Sequence, residues 1–163
     1  MRGIVRGHSF RLGAMVLEHN DRLAWVGVTS SEASGTYAVE DAFELEMPTR
    51  VLGLDEAGEW LMMIADNEGV DHPVVSRMAM SRSLQGLAFV DEWCISVRKK
   101  KMSQLLLVHE MAHLVCANGG HGREFRTQVV TFVRRYVSLA HAVRLHEMYV
   151  AAGLGIEPFA ATK

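Results

Sequence analysis

Residues 104–125, QLLLVHEMAHLVCANGGHGREF, decide how this chain is read. Leu105 to Leu107, Val108, Met111, Ala112, Leu114, Val115 and Cys116 are apolar on nearly every side of a helix, and such a helix is buried. Into it are set His109, Glu110 and His113, an H-E-x-x-H motif. Positions i and i+4 lie about 40° apart around a helix of 3.6 residues per turn. Both imidazoles can therefore reach one zinc ion at roughly 2.0–2.1 Å. Glu110, one position on, can serve as general base toward a water at that ion without being a ligand. Buried carboxyl and imidazole groups need partners, and a metal supplies one.

Beyond the helix come Asn118-Gly119-Gly120, natural cap and turn residues, and then His121. The short metzincin pattern has a glycine three residues after the second histidine; here Cys116 holds that place, so the helix is free to run to about Ala117. The turn brings the chain back, and His121 becomes the third ligand, preferred over Glu124 one turn into the next helix. Three protein ligands leave a fourth position open, which separates a catalytic zinc from a structural one. One Zn2+ per chain is expected.

Outward from this core, the 163 residues are enough for one domain with a proper core. With 49% hydrophobic and 22% charged residues, the composition is that of an ordinary globular protein. A net charge of −2 gives no argument for nucleic acid or membrane binding. No stretch approaches the ~18 apolar residues of a membrane span, and the first 13 residues lack the apolar core of a signal peptide. Cys94 and Cys116 read as reduced thiols, so the chain is expected in the cytoplasm.

Arg11–His19 and Arg22–Ser30 suggest a β-hairpin around Asn20-Asp21, an N-terminal extension within a single domain spanning residues 1–163. Tyr37–Glu46 suggests a short helix stopped before Pro48. Asp55 is the expected N-cap of a helix to about Asn67. Val74–Ser81 and Leu87–Arg98 read as strands. Ser103 caps the metal helix, Gly122–Val137 is a second helix, and a third runs from about Ser138 to Ala152, ending at Gly153. The class is α+β, a small antiparallel or mixed sheet packed on helices.

His109-Glu110-Met111-Ala112-His113 followed by His121-Gly122-Arg123-Glu124-Phe125 resembles the compact zinc metallopeptidase domains of the SprT and Spartan group, which carry H-E-M-x-H and then H-G-x-x-F. The run Ala140–Tyr149, closing in Ala152-Gly153-Leu154, and Tyr37-Ala38-Val39-Glu40 near the front are similar to small metallohydrolases of actinobacteria and their phages. The match is good over residues 103–126 and loose elsewhere, and Met1–Ser31 has no clear counterpart. The resemblance implies a zincin-like fold of a minimal gluzincin type. It makes His109, His113 and His121 zinc ligands and Glu110 the catalytic base. It also implies that the strand before the metal helix, Trp93–Arg98, borders the cleft, with an edge open to an extended peptide.

The expected activity is thus zinc-dependent hydrolysis of a peptide or protein substrate. The alternatives are a zinc endoribonuclease, whose three-histidine pattern lacks a Glu beside the first histidine, and a non-catalytic metal-binding protein of phage or prophage origin. The developing oxyanion needs a donor besides the metal, and Tyr136, Arg144 and Tyr149 are the candidates. Arg98-Lys99-Lys100-Lys101 reads as a solvated loop: it has no interleaved aromatic residue on which a base could stack. His141 and His146, five apart, do not share a helix face.

Overall fold

The computed structural model describes residues 31–117 and 120–159. The chain divides into two units, Met1–Ser30 and Ser31–Lys163. The first, and with it the expected hairpin, lies outside the described residues.

The second unit is α+β. It begins with α1 (Ser31–Glu46), which buries Ala33, Thr36, Val39, Glu40 and Phe43 at the three- and four-residue spacing of one helix face. The helix starts six residues before the expected Tyr37, passing through Gly35. There a Cβ would stand 3.0 Å from a Leu154 methyl, so glycine gives the C-terminal segment room to pack. Next come β1 (Val51–Gly53) and α2 (Leu54–Glu68). The N-cap of α2 is Gly53, not Asp55, because β1 runs straight into the helix. Asp55 and Glu56 fall in the first turn, where negative charge suits the helix dipole. Gly69, at φ 67°, closes α2.

Three strands form a mixed sheet: β2 (Val74–Arg77), β3 (Gly86–Phe89) and β4 (Cys94–Val97), in the order β2-β4-β3. β4 pairs parallel with β2 and antiparallel with β3. The run expected as one strand, Leu87–Arg98, is therefore a hairpin. Asp91-Glu92, two adjacent charges, cannot continue a half-buried strand, and the chain turns there. Trp93 takes the left-handed conformation at φ 49°, and its indole N–H donates to the Asp71 carbonyl at 2.5 Å. β4 is consequently the central strand, so the exposed edge expected at Trp93–Arg98 does not exist. Among the described residues the edge strands are β2 and β3.

A second, two-stranded sheet joins β1 to β5 (Lys101–Ser103), with Leu52 opposite Met102, both buried. It delivers the chain into α3 (Gln104–Cys116), whose start is held twice. Ser103 Oγ accepts from the Leu106 N–H, as expected of the N-cap, and Thr49 Oγ1 accepts from the Leu105 N–H. Ala117, at φ 50°, ends α3 where the sequence places the stop.

The expected helix Gly122–Val137 is α4 (Arg123–Phe132) followed by a π-helical segment, Val133–Val137, closed by the Ser138 N–H on the Val133 carbonyl. Arg135 and Tyr136 on that segment both bond to Glu68 of α2. Ser138 then caps α5 (Leu139–Ala151) through the His141 N–H. The core runs between α1, α2, α3, α4 and α5, with Phe43, Leu61, Leu107, Met111, Phe132 and Leu145 buried. No helix among the described residues is long and apolar enough to cross a membrane.

Candidate metal centre

The two histidines of α3 project from one face, and the connector to α4 carries His121 back to meet them. His121 Nε2 lies 3.2 Å from His109 Nε2 and 3.2 Å from His113 Nε2. Among the described residues this is the one group of three His, Cys, Asp or Glu side chains gathered closely enough to hold a metal ion. His109 and His121 are buried and His113 is half-buried. Glu124, the rival third ligand, is exposed and not part of the group.

Nothing in the sequence motif identified what stands behind His109. Its Nδ1 faces Glu40 Oε2 at 2.7 Å, and the other carboxylate oxygen, Oε1, accepts from the Tyr149 hydroxyl at 2.6 Å. Glu40 is 7% exposed and Tyr149 is fully buried. A carboxylate on Nδ1 places the proton there and leaves the Nε2 lone pair for a metal. Burial alone would lower the pKa of this imidazole; the charge and hydrogen bond of Glu40, with the charge of Glu110, outweigh it and hold the ring above its ordinary value. His121 goes the other way. Burial, then the charge of His109, push it down to about 4, so it stays neutral at ordinary pH.

Phe125, from the first turn of α4, packs against all three rings, at centroid distances of 4.9, 4.3 and 4.8 Å to His109, His113 and His121. Tyr37 covers another side, stacked on His109 at 5.3 Å and tilted on His121 at 4.8 Å. The residue is 44% exposed, so it meets solvent where His109 and His121 do not. Burial and the charges of Glu110 and Glu40 raise its pKa, and it remains a proton donor.

Glu110 turns toward β3. Its carboxylate accepts from the Ala88 N–H, and a Cβ on Gly86 would stand 2.6 Å from its Oε1, so the strand approaches only because residue 86 is glycine. Burial, with Glu40's charge adding, raises the Glu110 carboxyl to about 7, against the lowering effects of His109 and the Ala88 N–H. A carboxyl poised there can take and return a proton near neutral pH.

The three expected oxyanion donors are elsewhere. Tyr149 bonds to Glu40 behind His109, Tyr136 bonds to Glu68, and Arg144 pairs with Glu46 and Glu147 at the surface. Tyr37 is the hydroxyl-bearing side chain that the fold brings against the imidazoles. His141 faces Ser138 and His146 the Glu157 carbonyl, so they form no second centre. Cys94 and Cys116 are free thiols, raised in pKa by burial. Of the run expected as a solvated loop, Arg98 is tied to the Leu84 carbonyl and to Gln85, Lys99 and Lys100 are exposed, and Lys101, also exposed, is not loop but the first residue of β5. No protein-family model or curated protein matches the sequence, and no solved structure matches the fold.

Proposed function

We propose that this chain is a zinc-dependent hydrolase, a metallopeptidase in which Glu110 moves the proton. The observation that carries the reading is the convergence of three imidazole Nε2 atoms beside a buried carboxyl of raised pKa. Nitrogens bound at about 2.0–2.1 Å to a tetrahedral zinc lie about 3.3 Å apart, close to the 3.2 Å between His121 and each of its neighbours. With His109 Nδ1 turned to Glu40, its Nε2 faces the Nε2 atoms of His113 and His121 at this ligand spacing, a nitrogen donor set that fits zinc. When bound, the metal supplies Lewis-acid polarisation of a scissile carbonyl and an acidified water.

The protein's own part follows from the geometry. Glu40 fixes the His109 tautomer, and Phe125 and Tyr37 exclude bulk water from the imidazoles. Ala88 N–H holds the Glu110 carboxylate, which accepts the water's proton at Oε and returns it to the departing amine. The peptide choice rests on β3, an edge strand lying against Glu110. Apart from the Ala88 N–H, which Glu110 takes, its outer edge among the described residues offers main-chain groups to an extended chain. Arg98, just past the end of β4, is already engaged by the Leu84 carbonyl and Gln85.

The test is hydrolysis of unfolded casein by zinc-loaded protein. Wild type should cleave it, and Glu110→Gln should hold zinc yet cleave at least ~10²-fold more slowly. His121→Ala should lose zinc affinity first. Equal cleavage by Glu110→Gln excludes this mechanism. Cleavage of RNA in place of casein moves the assignment to a nuclease.

A further inference from the structure

His121 is the one ligand outside a helix. It sits on the connector between α3 and α4, where no backbone ladder sets its direction, so something else must aim it. Its carbonyl accepts from Arg126 Nη1, and Thr36 Oγ1 lies 3.4 Å away as a second donor. The rest of the Arg126 guanidinium is committed too. Nη1 reaches Thr36 Oγ1 at 3.3 Å, Nε donates to the Gly155 carbonyl at 2.8 Å, and Nη2 faces Glu32 Oε1 at 3.3 Å. The group thus ties the connector to α1 and to the C-terminal segment, and it is fully buried.

Electrostatics makes this arginine expensive. A buried cation wants a buried carboxylate, but the Glu32 side chain is 56% exposed. A permanent positive charge also opposes a metal cation held by the neighbouring imidazoles. What offsets these costs is geometry: a planar fork of fixed donors can hold a carbonyl at one place and angle, as a flexible ammonium cannot.

We propose that Arg126 is the positioning residue of the centre, its guanidinium fixing the His121 carbonyl so that the third imidazole meets the other two; the inference rests on the metal-binding reading above. Arg126 itself touches no ligand atom. It acts through the backbone of His121, and it makes the third ligand answerable to the Gly155 carbonyl, 29 residues from Arg126.

Cobalt(II) titration of the metal-free protein tests this, because its visible bands report coordination number as well as affinity. Arg126→Met fills the same volume without the donors. It should bind Co2+ about 10- to 100-fold more weakly, with bands altered in the manner of His121→Ala, while the metal-free variant keeps its helical circular dichroism. Arg126→Lys, which retains the charge and a single donor nitrogen, should restore part of the affinity. Arg126→Met with wild-type affinity and bands overturns the proposal. Should that variant fail to fold, Arg126→Lys decides: affinity and bands like those of the wild type overturn it, and a weaker, altered spectrum supports it. A wild type that shows no cobalt bands at all overturns the metal reading itself, a result distinct from these.

Discussion

At the scale of single residues, the centre is a set of opposed protonation preferences. Glu110 has its folded pKa raised from 4.5 to about 7. Proton binding therefore favours the folded state between those values. The stabilisation is fully present below pH 4.5 and is lost as pH rises through 7. Glu110→Gln stays neutral throughout and has nothing to lose. In metal-free protein, the stability of Glu110→Gln relative to wild type should rise between pH 4.5 and 7 by roughly 3 kcal/mol and then level off. Urea unfolding at several pH values measures it, and a flat difference would refute the burial of that carboxyl. Glu40 calls for a different experiment. Glu40→Gln can no longer act as the charged acceptor for His109 Nδ1, and zinc affinity should fall about 10- to 100-fold in competition with a chelator. Unchanged affinity would mean that the 2.7 Å contact does not orient the ring.

These residues also mark the limit of what the sequence disclosed. His109, His113 and His121 were legible because their spacing on a helix and a glycine turn is itself the geometry of a metal site. Glu40 was not, since it lies 69 residues from His109 and closes on it only through tertiary packing. A signal existed: an acid inside the apolar stripe Ala33, Val39, Phe43 is a buried charge in want of a partner. Arg126 carried the same signal on the buried face of α4, between Phe125 and Val129.

At the scale of elements, local patterns told most where a helix decides its own ends. The Ser103 cap, the stop at Ala117 and the ends of α5, at Ser138 and before Gly153, all follow from short-range chemistry. Strands were harder, because β1 and β5 are three residues each and exist only as a pair, 50 residues apart in register. The β3–β4 hairpin was hidden because both arms are β-rich, and only Asp91-Glu92 marks the fold between them. β3 also offers the sharpest element-level experiment. Gly86→Ala would put a methyl 2.6 Å from Glu110 Oε1. The strand or the carboxylate must shift, at a cost of about 1–3 kcal/mol. Casein cleavage should drop while zinc binding is kept, since no ligand moves; a fully active Gly86→Ala would show that the strand does not set the carboxylate.

At the scale of the whole molecule, helices α1, α3, α4 and α5 all contribute to one small polar cluster inside an apolar core. Chelation should therefore lower the melting temperature by several degrees, by an amount that grows with the logarithm of the free-metal concentration over the dissociation constant, and a melting temperature indifferent to chelator would argue against a metal in this core. The distribution of the cluster along the chain carries a kinetic corollary. The three imidazoles span only 13 residues, so the loop that gathers them is cheap to close. The support behind His109, by contrast, closes over 69 residues to Glu40, which itself pairs with Tyr149 across 109. Contacts of such long range cost more loop-closure entropy than local ones. On the zinc reading proposed above, a local helix-turn segment can gather the three donors before Glu40 closes on His109. The centre would serve first as a seed of the fold and only at the end as a reaction site.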